Sequence, residues 1–320
     1  MRVLLTGATG FVGMEVLARL IDRGDDVFAV VRATDQAAAQ ARLDETIELV
    51  GAGGAATAIV GDLVTGFEAP GDIDAVLHCA ASISFGLPLD EAREINVGGT
   101  ERVLDAARRA GARLVHVSTA YVEGAHRNTY EQSKAEAEAL VAASGVPYVI
   151  ARPSIVVGEA TTGWTPAFNV LYWPLRAFAR GLLDPVPADP AGRADIVPVD
   201  YVADGLIALL DDPEVTGVVH LAQGEEAATV ADLVEFTCSH LDRPRPRMID
   251  PKDAQLSAGG EHGEVYLPYF DVLETFDASR SHALLGPPPA LGEYFDRLIA
   301  YAEAARWGKR PMRRPDAALV

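Results

Sequence analysis

Short runs rich in valine, isoleucine and leucine, near residues 2–6, 26–31, 56–60, 74–79, 113–118 and 147–151, alternate with stretches of helical period. A strand that is apolar without alternation is buried on both faces, and strands separated by helices run parallel. The pattern predicts an α/β fold, a Rossmann-type doubly wound parallel sheet. In the first helix Val16, Leu17, Leu20 and Ile21 fall on one side and Arg19, Asp22 and Arg23 on the other, with Gly24 as the stop. AAAQARLDETIELVGAGG reads as a second helix and EAREINVGGTERVLDAARRAG as a third, long one with a glycine pair inside.

After residue 158 the rhythm breaks. EATTGWTPAFNVLYWPLRAFARGLLDPVPADPAGR is rich in aromatics and proline, which suits a lobe laid over the sheet. Residues 196–222 read as a helix and a strand returning to the sheet, and TVADLVEFTCSHL as a helix with Thr229 and Asp232 at capping-box spacing. The expected organisation is a dinucleotide-binding domain of residues 1–158 plus 195–222 and a smaller substrate lobe of residues 159–194 plus 223–320.

Composition narrows the partners. The 320 residues are 49% hydrophobic and 23% charged, enough apolar material for a full core. Twenty-seven basic against 46 acidic residues leave a formal charge of −19, which repels phosphate backbones and anionic membranes. Neither nucleic acid nor a membrane is an expected partner, and no apolar stretch reaches the ~18 residues of a membrane span. Cys79 and Cys238 fit no CxxC or metal pattern, and MRVLLTGATG reads as a strand and glycine loop rather than a leader, so a cytoplasmic location and no metal are expected. The basic run KRPMRR, residues 309–314, reads as a solvated tail.

TGATGFVG follows the first strand directly and places Gly7, Gly10 and Gly13 at GxxGxxG spacing. Glycine there lets the backbone turn tightly and approach a pyrophosphate, whose charge meets the amides and dipole of the helix start. A tight turn explains a lone GxxG equally well; the order of strand, loop and helix carries the cofactor reading. Candidate contacts in this loop are Thr6, Gly7, Thr9, Gly10, Phe11, Val12 and Gly13. An NAD site wants a carboxylate where the second strand ends, yet the chain has Arg32 there and Arg42 ten residues on, which suit a 2′-phosphate and hence NADPH. Asp62, with Leu63 beside it, is placed to accept from the adenine amino group, or simply to form a turn.

VSTAYVEGAHRNTYEQSK, residues 117–134, brings a hydroxyl pair, a phenol and an ammonium together. A carbonyl that receives hydride becomes an oxyanion, which a phenol protonates if its pKa, ~10 when free, is drawn toward working pH. Lys134, one helical turn after Tyr130, supplies positive charge for this and a donor for the ribose. A strand-end hydroxyl, Ser118 or Thr119, holds the carbonyl oxygen. His78, His116 and His126 lack metal-ligand spacing and read as structural.

TGATGFVG, Asp62, HCAA, NVGGT, STAYV, YEQSK and RPSIVVG together resemble the extended short-chain dehydrogenase/reductase superfamily, and within it VVRATDQAAAQARLDET, ISFGLPLDEAREINVGGTERVLDAA, VHVSTAYV, RPSIVVGEATTGW and IVPVDYVADG look most like segments of the fatty acyl reductases and the thioester reductase domains of carboxylic acid reductases. The resemblance covers at least residues 1–158. It implies NADPH-dependent reduction of an acyl thioester, free or carrier-bound, to aldehyde or alcohol. It makes Thr119, Tyr130 and Lys134 the catalytic residues, adds Ala80 and Ala81 of HCAA to the cofactor contacts, and sets Pro153, Ser154 and Ile155 beside the nicotinamide. Asn96, also among the cofactor-site residues, would order the active-site helices. Trp164, Phe168, Tyr172 and Trp173 are candidates for an apolar substrate channel or for lobe core. The rival readings are a ketone or alcohol dehydrogenase, a nucleotide-sugar epimerase, which Arg32 disfavours, and an NADPH-sensing regulator, which has no use for Tyr130 and Lys134.

Overall fold

The computed structural model describes residues 1–168, 170–182, 184–250, 269, 272, 273 and 275–319. In chain order its elements are β1 (Arg2–Thr6), α1 (Phe11–Asp22), β2 (Asp26–Val31), α2 (Gln36–Val50), β3 (Thr57–Val60), β4 (Ala75–His78), α3 (Leu89–Arg93), α4 (Gly99–Ala110), β5 (Arg113–Val117), α5 (Thr129–Ala143), β6 (Tyr148–Pro153) and β7 (Ile155–Val157). There follow α6 (Tyr172–Ala179), β8 (Val186–Pro187), β9 (Arg193–Ala194), β10 (Ile196–Pro198), α7 (Val199–Asp211), β11 (Gly217–Leu221), β12 (Ala228–Thr229), α8 (Val230–Leu241), β13 (Met248–Ile249), α9 (Ser279–Leu285), α10 (Leu291–Ala304) and α11 (Arg314–Ala317).

Seven strands form one parallel sheet in the order β11-β6-β5-β4-β1-β2-β3. The continuous apolar runs are explained by its two covered faces. In β1, Val3 and Leu5 enter a core with Val16 and Leu17 of α1 and Leu206 of α7, while Leu4 enters another with Val103 and Leu104 of α4 and Val141 of α5. From β1 the chain winds outward through β2 and β3, then crosses back to β4 and winds the other way. Loops leaving the carboxyl ends of β1 and β4 therefore diverge, and a crevice opens between them.

The predicted strands appear within two residues of their expected bounds, and β11 returns to the sheet beside β6. Residues Ile196–Pro198, by contrast, pair with β7 in a separate two-stranded ribbon. The long third helix is interrupted: α3 and α4 are joined by a π-helical turn, Glu94–Gly98. Gly99 follows it because a Cβ there would sit 2.7 Å from Leu63 Cβ. The Thr229–Asp232 capping box forms as expected.

Trp164 and Tyr172 belong to packed interior. Trp164 is fully buried with Met14, Ala18 and Tyr301, and its indole N–H donates to Met312 O at 3.0 Å. Tyr172 packs with Leu175, Tyr294 and Phe295, and Phe168 edges onto its ring. The basic run at 309–314 is not all solvated tail, since Arg314 reaches inward to the buried carboxylates of Glu159 and Glu15, at 2.5 and 3.6 Å.

Candidate functional site

At the end of β1 the chain turns through Gly7, whose φ of +78° favours glycine, and Gly10 N–H donates to Gly7 O at 2.8 Å. A Cβ on Gly7 would meet Ala80 N at 2.7 Å, and one on Gly13 would meet Gly7 O at 2.0 Å. The loop is thus pressed between α1 and the segment after β4. Gly10 caps α1 with no side-chain hydrogen bond, so the first amides of that helix are left to a ligand or solvent. The loop's far side is tied by Thr6 Oγ1, which accepts from Ala80 N–H at 3.3 Å.

Arg32 stands just beyond β2, and Arg42 on α2 reaches back to donate to its carbonyl at 2.8 Å, bringing two guanidinium groups to one corner. Asp62 Oδ1 accepts from the amides of Val64 at 2.7 Å and Thr65 at 2.6 Å. The Thr65 amide first, and the charge of Arg32 more weakly, hold its carboxyl below the usual range. Asp62 therefore forms the turn and lines the crevice as well.

The reactive group is positioned by α5. Asn128 caps this helix by accepting from Glu131 N–H at 2.9 Å, and Glu131 Oε2 accepts from Arg127 N–H at 2.7 Å, which starts the helix one residue before Tyr130. Thr119 ends the strand side, its Oγ1 accepting from Tyr121 N–H at 3.3 Å, and it lies near enough to the Tyr130 phenol to draw that pKa down. Ser118 is buried, and its Oγ has no hydrogen-bond partner among the described residues. Ser118 and Thr119 both line the cleft, and of the two only Thr119 influences the phenol's pKa.

One expectation is reversed. Lys134 was expected to lower the Tyr130 pKa, yet burial pushes the phenol up to about 12, with Thr119 opposing. The lysine Nζ is turned to the strand, donating to Val117 O at 2.7 Å and lying 3.4 Å from His116 Nε2. Burial lowers the ammonium's own pKa to about 8. A phenol held protonated is nevertheless the form a proton donor needs.

Every catalytic and cofactor-binding candidate except Asn96 lines one cleft of about 600 Å³, comprising the glycine loop, Arg32, Arg42, Asp62, Leu63, Ala80, Ala81, Thr119, Tyr130, Lys134, Pro153, Ser154 and Ile155, whereas the channel candidates Trp164, Phe168, Tyr172 and Trp173 do not. Asn96 lies behind it, 2% exposed. Its Nδ2 donates to Ser82 O at 3.1 Å and Ser133 Oγ at 2.9 Å, and its Oδ1 accepts from Ser82 N–H at 2.8 Å, which ties the loop after β4 to α5. Sequence reasoning missed the aromatic wall: Phe85, Tyr121 and Tyr269 also line the cleft. Phe85 lies 5.7 Å from the Tyr130 ring and stacks on Tyr269 at 5.3 Å, and Tyr121 edges onto Tyr269 at 4.9 Å. Tyr121 falls inside STAYV and Phe85 four residues after HCAA, but Tyr269 carries no local signal.

The residues present fit a dinucleotide: a glycine cradle without room for a Cβ, an uncapped helix start and a cationic corner share one cleft at the strands' carboxyl ends. A family model described as Male sterility protein matches residues 5–60, 68–128 and 123–206. A Drosophila melanogaster protein carrying a fatty acyl-CoA reductase name is 27% identical over 307 residues, covering 73% of this chain and 58% of its own. The chain spans between 5% and 58% of the lengths of the first curated relatives it matches. The terminal R domain from the myxalamid PKS-NRPS biosynthetic pathway superposes with TM-score 0.82 at 23% identity, over 97% of this chain and 92% of that one. UDP-glucuronic acid 4-epimerase from Bacillus cereus, in complex with NAD, superposes with TM-score 0.71 at 19% identity, over 96% and 98%. Both are likenesses of fold.

Proposed function

We propose, because the chain belongs to the Male sterility protein family of extended short-chain dehydrogenase/reductases, that it is an NADPH-dependent reductase acting on the carbonyl of an acyl thioester or of the aldehyde made from it. The observation that carries the reading is a single cleft with Arg32 and Arg42 at the cofactor end and Thr119, Tyr130 and Lys134 at the reactive end. When bound, NADPH supplies the hydride. Thr119 and the Tyr130 phenol hold the carbonyl oxygen between them. As the carbonyl carbon takes hydride, its π pair moves to that oxygen, and Tyr130 gives its proton there. The hemithioacetal's C–S bond then breaks as its hydroxyl proton returns to Tyr130 and the departing thiolate takes a proton from solvent, leaving aldehyde, which a second hydride from a second NADPH and the Tyr130 proton would turn into alcohol. Lys134, one helical turn beyond Tyr130 and on the lining of the same cleft, would offer a donor to the ribose.

The apolar wall of Phe85, Tyr121 and Tyr269 suits an apolar acyl group. We assign residues 1–158 with 195–222 to cofactor binding and 159–194 with 223–320 to the substrate lobe. Cys79 and Cys238 are free thiols, and no helix among the described residues is long and apolar enough to cross a membrane, which suits a cytoplasmic enzyme meeting its thioester on coenzyme A or a carrier. The epimerase likeness is opposed by Arg32, which stands where a tightly held NAD commonly meets a carboxylate.

NADPH oxidation against acyl-CoA, acyl-pantetheine, aldehyde and ketone substrates, with products identified by mass, tests the reading. Tyr130→Phe is expected to keep its NADPH Kd while losing about 100-fold or more in turnover. Secondary-alcohol oxidation with silence on every thioester overturns it in favour of an alcohol dehydrogenase.

A further inference from the structure

A row of buried polar side chains crosses three neighbouring strands beneath the cleft. Thr6, His78 and His116 are cross-strand partners on β1, β4 and β5, exposed by 0, 1 and 0%, and Lys134, 2% exposed, stands at the end of the row. The proton positions follow from the donors available. Thr100 Oγ1 gives its proton to Asn96 O at 2.6 Å and so accepts from His78 Nε2 at 3.2 Å. This leaves His78 Nδ1 to accept from Thr6 Oγ1 at 2.7 Å. His78 is thereby neutral and paired at both nitrogens; burial and the Lys134 charge hold its pKa at about 3.

His116 is different. Its ring centroid lies 5.2 Å from that of His78, its Nδ1 has no partner among the described residues, and its Nε2 lies 3.4 Å from Lys134 Nζ. An ammonium only donates, so Nε2 accepts and the imidazole proton sits on Nδ1. Of the three N–H bonds of Lys134, one goes to Val117 O and one to His116, and one is left on the side where the lysine borders the cleft.

We propose that His116 is a positioning residue: its neutral imidazole takes one lysine N–H and fixes the ammonium so that the remaining N–H serves the cleft. A carboxylate in this place would hold the lysine equally well but would cancel its field on the reacting oxygen. A neutral base orients the charge without quenching it. Lys134 is faced by Glu138 from its own helix, by His78 and Cys79 at and just past the end of β4, and by His116 from β5. Burial lowers the His116 pKa far below its ordinary value, and the lysine's charge lowers it further, so the acceptor form persists at working pH.

The consequence for catalysis rests on the reductase reading, but the central test does not. The chain has three lysines, Lys134, Lys252 and Lys309, so ¹³C-lysine NMR of the cofactor-free protein gives few signals to assign, and Lys134→Met identifies the one that titrates at about 8. In His116→Phe that signal is expected to titrate lower by about one pH unit, because an ammonium that loses an acceptor is less favoured. The alkaline limb of the turnover profile should move with it, and NADPH Kd should weaken about 10-fold. His116→Gln, which restores an acceptor, should recover all three. A lysine titration unchanged in His116→Phe overturns the proposal, even if the variant is less stable. Should that variant fail to fold, ¹⁵N NMR of the unaltered protein decides: an unprotonated His116 Nε2 supports the assignment and a protonated one refutes it. If the titration behaves as expected and no carbonyl substrate is reduced, only the reductase reading fails.

Discussion

On the proposed reading cofactor choice turns on Arg32 and Arg42, since Arg42 is held against the Arg32 carbonyl and both border the cleft. Arg32→Asp is expected to cut the preference for NADPH over NADH by about 10- to 100-fold, read as the ratio of the two Kd values, because it replaces a phosphate partner with a ribose partner. A ratio that does not move would reassign the corner to structure. Arg32, Thr119, Tyr130 and Lys134 are legible as candidates in the sequence because the chemistry proposed for them needs fixed residue types at local spacing. Tyr269 is not: its hydroxyl donates to Glu131 Oε1 at 2.6 Å across 138 residues, a contact that no local pattern encodes. The direction of the Tyr130 shift was equally hidden, because spacing shows that a lysine is near but not how far burial raises the phenol.

Among the elements, the glycine loop with α1 is the most tightly determined. In Gly13→Ala the new methyl would have to displace Gly7, only 2.0 Å from its oxygen, so the turn opens. NADPH affinity should drop by at least about 10-fold, with a lower Tm, checked by cofactor fluorescence and thermal melting. Retained affinity would mean that the loop does not cradle the pyrophosphate. The strands were readable because Val3, Leu4 and Leu5 are all buried, which forces an unbroken apolar run. The π turn at Glu94–Gly98 was not. One extra residue in a helical turn barely disturbs the hydrophobic period, yet this turn contains Asn96, which bridges Ser82 and Ser133 behind the cleft.

For the molecule as a whole, the C-terminal segment fastens the lobe to the sheet layer. Arg314 on α11 lies between Glu15 of α1 and Glu159 at the start of the lobe, carboxylates exposed by 0 and 4%. Burial raises the Glu15 pKa, and the charges of Arg314 and Arg19 draw it back. Arg314→Ala leaves two buried acids with less compensation. It is expected to destabilise the fold by about 2 kcal/mol, reduced from the larger loss typical of fully buried pairs because Arg314 is partly exposed. Urea unfolding should give a lower midpoint; an unchanged one would show that water already screens the site. Composition gives no hint of this, since a basic run is ordinarily solvated and its two acid partners lie about 155 and 299 positions away.

The sheet's border strand, Gly217–Leu221, emerges from the ribosome only after the whole excursion that follows β7. Until it arrives, Tyr148–Pro153 is an apolar flank whose outward amides and carbonyls have no neighbour, a surface that invites other chains. A shortened version meant to isolate the nucleotide half must therefore run past Leu221, because one cut near residue 158 would keep its glycine turn and still precipitate.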